Sequence, residues 1–433
     1  MPTATGRAPG HPPGLYVLFF TEMWERYSFY SLMSILTIYM DQELKFPLST
    51  KAQVYGGYIF GVYLLPLLGG IIADRWLGYR RTILVGGLLI TLGHFALAFE
   101  KLPLFYSALA LLALGTGLLK PNISTMVGNL YVHQPERKDA AYNIFYMGIN
   151  IGGFLGPLGV AYLRAHYGWS VALGSAGVAM LVSLGVFLFF SRYIEVAGRR
   201  TTQTAPGDRP PDPPDATARI VALLVLFLIV IAFWLAFYQN GFALTFWARD
   251  NTATTIPPEV FYATNSACII LFTLPLVRFW SWLNRRGQEP ATTTKIIIGM
   301  LLTLVSFAIM VGAAWAGGDT GRVSPAWLVS SYAVIALAEI CLSPMAMSLV
   351  AKIAPPRLQG VMMGAWFVTQ ALGGYFSGYV GIYWETIPHS EFFLWIIALN
   401  AFAALAMIVA LRWLRPTFAR AFAEETARVK IPA

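Results

Sequence analysis

The chain has 433 residues, 57% of them hydrophobic, 15% aromatic and only 12% charged, with a net charge of +9. A mean hydropathy of +0.62 excludes an ordinary soluble domain and points to a polytopic membrane protein. The positive excess sits at the ends of apolar runs and forms no basic patch, which sets nucleic acid aside as a partner.

Residues 1–14, MPTATGRAPGHPPG, are rich in Pro and Gly and lack an apolar region before a cleavage site. They read as a disordered cytoplasmic tail, not a signal peptide. Apolar runs long enough to span a bilayer follow near 15–40, 53–73, 80–99, 103–130, 140–164 and 169–192. Residues 195–218 are polar and proline-rich and read as a cytoplasmic linker. Six further runs lie near 219–248, 257–283, 293–316, 325–350, 358–385 and 391–414, with a cytoplasmic C-tail over 416–433. The predicted fold is therefore all-α and integral to the membrane: twelve transmembrane helices in two six-helix halves, 15–194 and 219–415.

The distribution of Lys and Arg supports that count and puts both termini in the cytoplasm. The two tails and the even-numbered loops hold 22 of them, and the odd-numbered loops hold six: Lys45, Lys51, Lys101, Arg164, Arg249 and Arg322. The remaining two, Arg26 and Lys120, fall inside spans. The halves also share a weak repeat, NIGGFLG at Asn150–Gly156 in the fifth span and ALGGYFSG at Ala371–Gly378 in the eleventh.

The first span carries EMWERYSFYS, Glu22 to Ser31. On a helix of ~100° per residue, Glu22, Glu25, Arg26 and Tyr30 occupy one arc of roughly 140°. A charge at bilayer depth costs on the order of 2.5–3.5 kcal/mol, so this arc must face protein or water. An ion-pair knot holding helices together would account for it. Two carboxylates competing for one guanidinium also suit reversible protonation, so Glu22, Glu25 and Arg26, with Lys120, are the candidate proton-coupling groups.

Lys120, in ALGTGLLKPNIS, lies too deep in the fourth span to reach the surface, beside Pro121, which removes a backbone donor. Glu339, in IALAEICLSP of the tenth span, is the deep acid of the second half. Tyr63, Tyr146, Asn150, Trp234, Asn265 and Trp366 are polar or amphipathic groups suited to lining a cavity. His94 reads as a core histidine, and Cys268 and Cys341 as small packing residues. DRWLGYRR, Asp74 to Arg81, resembles the loop motif of the major facilitator superfamily, whose charges latch helix ends. No phosphate-cradling loop, metal-spaced His or Cys set, HExxH or GxSxG is present, so neither enzyme chemistry nor a metal or cofactor is expected.

EMWERYSFY in the first span, GLLKPNIS in the fourth, FYMGINIGG in the fifth, AEICLSP in the tenth and GAWF in the eleventh together resemble the proton-dependent oligopeptide transporter family of the major facilitator superfamily. The resemblance covers both halves. It implies a proton-coupled symporter that imports di- and tripeptides across the bacterial inner membrane by alternating access, with peptides, protons and the lipid bilayer as partners and no obligate protein partner. By matching position it assigns the peptide carboxylate to Arg26, Tyr30, Tyr63, Lys120 and Asn150, and the amino terminus to Asn265 and Glu339. Tyr146, Trp234 and Trp366 would form the side-chain pocket.

Two positions depart from the family pattern. FYQNG places Tyr238 where a seventh-span glutamate is common, and Phe29 stands where a second tyrosine is common. A phenol with an ordinary pKa of about 10 does not replace a titrating acid. The alternative substrate on this fold is another small anion or zwitterion such as nitrate, which would leave Glu339 without a partner.

Overall fold

The computed structural model describes residues 10–132, 134, 137–198 and 212–429, with side chains described as far as Ala421. The expected tail over 1–14 and linker over 195–218 thus lie largely outside the described residues. What is described is helical. Helix α1 spans Pro13–Gln42, α2 Leu48–Leu77, α3 Tyr79–Leu97 and α4 Leu102–Asn129. A continuous stretch, Lys138–Phe189, breaks at Gly168, whose φ of +83° belongs to the region glycine reaches without penalty. It therefore divides into α5, 138–167, and α6, 169–189.

The second half repeats the plan with α7 Ala216–Asp250, α8 Pro258–Arg285, α9 Thr292–Gly317, α10 Pro325–Ile353, α11 Gln359–Gly381 and α12 His389–Val429. Among the described residues nine helices are long and apolar enough to cross a membrane, the 52-residue stretch counting once. The two further helices of spanning length are α1, which carries Glu22, Glu25 and Arg26, and α11. One expected boundary shifts. The C-tail was placed from 416, but α12 runs on through Pro416 to Val429.

Small residues set the helix crossings, as they must where lipid supplies no hydrophobic drive between helices. In α5, Gly148, Gly152 and Gly156 recur every fourth residue and present one bare stripe to α1. A Cβ at Gly152 would lie 2.8 Å from Tyr27 N and 3.0 Å from Arg26 Cβ. The backbone of α1 therefore lies directly against α5 at the level of its charges.

The repeat seen in the sequence is a repeat of packing. Gly153 of α5 meets Tyr30 of α1 and Ser266 of α8, while Gly374 of α11 meets Tyr238 of α7 and Ile59 of α2. Exchanging each helix for its counterpart six places away in the other half converts α5 on α1 into α11 on α7, and α5 on α8 into α11 on α2. These last two pairs are the main seams between halves, and Tyr30 and Tyr238 become equivalent residues.

Candidate functional site: a charged cluster beneath a tyrosine-lined cavity

On α1 the predicted cluster is assembled as one contact group. Arg26 forms a two-pronged pair with Glu25, with Nη2 2.5 Å from Oε1 and Nε on Oε2, and its Nε lies 3.4 Å from Glu22 Oε1. All three are at most 2% exposed. Among the described residues Glu22 Oε2 has no hydrogen-bond partner, since one guanidinium is shared between two acids. The guanidinium also lies 4.7 Å from the centre of the Phe29 ring.

Lys120 reaches the same region from α4. It forms no ion pair among the described residues and rests over Tyr63 of α2, 4.7 Å from the ring centre. Helix α4 continues through Pro121. The proline leaves the Gly117 carbonyl without its usual donor, and Gly117 is where α4 crosses α2, its position for a Cβ only 2.6 Å from Leu65 Cβ. Asn122 then bonds across the crossing to the Gly69 carbonyl at 3.1 Å and back to Leu118 at 2.6 Å. The loop after α2 is closed by Tyr79 donating to Asp74 at 2.9 Å, so the acid of DRWLGYRR holds a helix end through a phenol.

From the other half, Asn265 of α8 donates to Glu339 of α10 at 3.2 Å, and its own Oδ1 is buried without a partner among the described residues. Lys120 and Glu339 are both half-buried and Tyr146 is 36% exposed, so this level of the bundle is not sealed. The structure thus brings first-half cations and a second-half acid to facing walls. Asn150 is buried and turns its amide back to the Tyr146 carbonyl at 3.0 Å. Trp234 and Trp366 were expected to line a pocket. They are instead 3% and 0% exposed, packed on each other behind Tyr238. His94 donates to or accepts from Ser28 at 2.8 Å, tying α3 to α1 as a core histidine should.

Above the cluster lies a cavity lined by Phe29, Tyr30, Tyr63, Tyr238, Tyr262 and Tyr332, with Asn240, Asn265 and Ser266 among its polar groups. The space it encloses in this conformation is small, about 30 Å3. Sequence reasoning did not single out Tyr262, Ser266 or Tyr332. The available signal was spacing, since Tyr262, Asn265 and Ser266 fall on one face of α8 at i, i+3 and i+4.

The cavity ends at a broken turn of α7, Tyr238–Gly241, where α-helical bonding lapses. Its loosened carbonyls are taken up by hydroxyls: Tyr55 donates to Tyr238 O at 2.7 Å, Tyr332 to Asn240 O at 3.0 Å and Thr37 to Gly241 O at 2.6 Å. Gln239 donates to Ser377 O of α11 at 3.1 Å. Donors from both halves converge on this turn.

Beyond it, the face opposite the termini is shut by ion pairs between halves. Asp41 at the end of α1 pairs with Arg249 of α7 and with Lys51 of α2, Lys51 lies 3.7 Å from Glu385, and Arg164 of α5 pairs with Glu259 of α8 at 2.6 Å. Partly exposed pairs contribute about 0.2–1 kcal/mol each. The double substitution Asp41→Asn with Glu259→Gln is expected to raise the labelling rate of a Tyr262→Cys reporter by about two- to tenfold. The measurement uses a membrane-impermeant thiol reagent added from that face, with Cys268 and Cys341 replaced by Ser. An unchanged rate would show that closure does not rest on these pairs.

A chain built on this plan has known counterparts. Residues 80–203 and 212–392 match the family model described as POT family. The chain belongs to the POT family. Relatives within reach of this family include the peptide transporter YePEPT of Yersinia enterocolitica, 31% identical over 86% of this chain and 88% of that one. Another is the uncharacterized transporter YclF of Bacillus subtilis, 32% identical over 89% and 90%. Dipeptide and tripeptide permease A of Escherichia coli is 28% identical over 86% and 85%. Among solved structures, a peptide transporter POT in complex with sulfate superposes with a TM-score of 0.84 at 28% identity, over 96% of this chain and 97% of that one. The major facilitator architecture expected from the sequence is therefore the one present, in a protein integral to the membrane.

Proposed function

We propose that this chain is a proton-coupled symporter that imports di- and tripeptides by alternating access, with both termini in the cytoplasm. The observation that carries the reading is the division of charge across the midplane. Arg26 and Lys120 stand on one half and Glu339 with Asn265 on the other, complementary to a zwitterion of fixed backbone length. The named relatives and the positive-inside pattern support it.

In this reading the peptide carboxylate takes its place beside Lys120 and Arg26, where Tyr30, Tyr63 and Asn150 supply neutral donors. The amino terminus takes the free capacity of Glu339 and the unpartnered Asn265 Oδ1. Coupling follows from competition within α1. While Glu22 and Glu25 are both ionised they hold Arg26; a proton on either releases part of the guanidinium to the substrate. In this reading the ion-paired face is the outer one, and the conformation belongs to the inward-facing end of the cycle, which the unsealed level at Lys120 and Glu339 supports. Tyr146 would border the inward path, and Trp234 and Trp366 would act as the packed support of the pocket wall.

Uptake of labelled dialanine and trialanine into proteoliposomes, driven by an imposed proton gradient and potential, tests the reading. Accumulation abolished by a protonophore and competed by peptides, but not by free alanine or nitrate, is expected. Competition by nitrate without competition by peptides would overturn the substrate, since nitrate has no group for Glu339.

A further inference from the structure

Helix α8 changes character halfway along. It starts on the ion-paired face, where Glu259 meets Arg164, lines the cavity with Tyr262, Asn265 and Ser266, and ends on the face that carries the termini. After Ile269 none of its residues is buried. At ~100° per residue, Leu271, Leu274, Arg278, Trp282 and Arg285 fall within an arc of about 80°, opposite the arc of the three cavity residues. All five are exposed. The stripe therefore points away from the bundle, toward lipid.

Along that stripe apolar surface gives way to positive charge. Leu271 and Leu274 come first; past Pro275 stand Arg278 and Arg285, with Arg286 just beyond the helix. The Arg286 guanidinium lies 4.0 Å from the centre of the Trp282 ring, and Trp282 stacks on Phe279 with ring centres 5.9 Å apart. Rings and cations layered in this way at the end of a span belong at the headgroup level. None of the three arginines forms an ion pair among the described residues. The next acid along the chain, Glu289, is taken by Lys295 of α9 at 2.5 Å. Cations on the last turn of a helix are favoured by its dipole, which accounts for Arg285 and Arg286. Arg278 stands seven residues earlier, ~10 Å deeper, and its Cβ leans toward the start of the helix, deeper still. A lipid-facing guanidinium at that level calls for an anion drawn down to it.

We propose that this stripe of α8 is a binding site for an anionic phospholipid, whose phosphate is held by Arg278 and Arg285, with Arg286 braced on Trp282 at the rim and acyl chains along Leu271 and Leu274. The proposal does not depend on which substrate the protein carries. A net negative headgroup is required because a zwitterionic one brings its own ammonium to the phosphate and gains less from three arginines. A soluble phosphate lacks the chains that bury the two leucines.

The test is titration of the purified full-length protein in detergent, read by native mass spectrometry, with phosphatidylglycerol, phosphatidylethanolamine and glycerol 1-phosphate as separate probes. The first phosphatidylglycerol is expected to bind at least about tenfold more tightly than phosphatidylethanolamine or glycerol 1-phosphate. The variant Arg278→Gln, Arg285→Gln, Arg286→Gln should reduce the preference between the two lipids to about threefold or less. Arg278→Gln alone should weaken phosphatidylglycerol binding about fivefold, which keeps the test open if the triple variant does not fold. Arg412→Gln with Arg415→Gln, on the exposed end of α12, should leave the preference in place. A melting curve without lipid reports that each variant has folded.

A wild-type protein that does not distinguish the two lipids would overturn the proposal, and so would a full preference in a folded triple variant or full affinity in Arg278→Gln. Equal loss in the α12 variant would move the site away from α8. Glycerol 1-phosphate binding as tightly as phosphatidylglycerol would make this a site for soluble anions and remove the lipid from it.

Discussion

Replacing Lys120 with alanine is expected to abolish uphill accumulation of dialanine while leaving the thermal stability of the protein nearly unchanged. The two halves of that result have one cause. Among the described residues Lys120 forms no ion pair and rests over the Tyr63 ring, so its removal breaks no ion pair there. On the proposed reading, what is lost is a charge-assisted hydrogen bond to the substrate carboxylate, about 1.5–3 kcal/mol, which is roughly 10- to 150-fold in affinity. Gradient-driven uptake in proteoliposomes and a melting curve in detergent check both parts. Undiminished accumulation would remove Lys120 from coupling, and a large fall in melting temperature would make it a structural residue.

Arg26→Met should behave in the opposite way, with stability falling first. Arg26 is the cation that both Glu22 and Glu25 touch, and each of these is 1% exposed. Breaking a buried ion pair from one side costs about 3–5 kcal/mol, because the partner charge remains without compensation. The triple variant Glu22→Gln, Glu25→Gln, Arg26→Met removes the stranded charges as well and should recover most of the melting temperature without recovering transport. A single variant as stable as the wild type would mean that the acids are already neutral in this conformation. Failure of the triple variant to recover stability would mean that the cluster holds α1 in place by shape and not by charge.

The contrast between these two cations was only partly readable from the sequence. That both lie inside spans followed from their depth in apolar runs, and the spacing of Glu22, Glu25 and Arg26 put them on one face of α1 before any coordinates were considered. The i, i+4 geometry of a helix is fixed by the backbone, so this inference needed no tertiary information. Which acid Arg26 would grip most closely, and that Lys120 would stand over a ring, depended on how α2 and α4 cross near Gly69 and Gly117. No local pattern encodes that crossing.

The same limit explains the two tryptophans. Trp234 and Trp366 were expected at a pocket because amphipathic rings in spans suit cavity walls. They lie one layer behind it because Gly373 lets α11 approach α7 so closely that a Cβ there would be 3.0 Å from the Trp234 carbonyl carbon. The residues that do line the cavity from α8 and α10, Tyr262 and Tyr332, were hidden among many tyrosines with no charged neighbour to draw attention to them. The repeat between NIGGFLG and ALGGYFSG, by contrast, was legible because its glycines are needed at both seams for the same steric reason.

The broken turn of α7 adds a constraint of a different kind. Its three carbonyls, on Tyr238, Asn240 and Gly241, are held by hydroxyls that belong to α10 on one side and to α1 and α2 on the other. When the halves separate on that face, the bonds from Thr37 and Tyr55 must part, and a carbonyl bared to hydrocarbon would cost several kcal/mol. Water is the only replacement available. Opening on that face is therefore a hydration step as well as a rigid rotation, and its equilibrium will shift with the activity of water on that side.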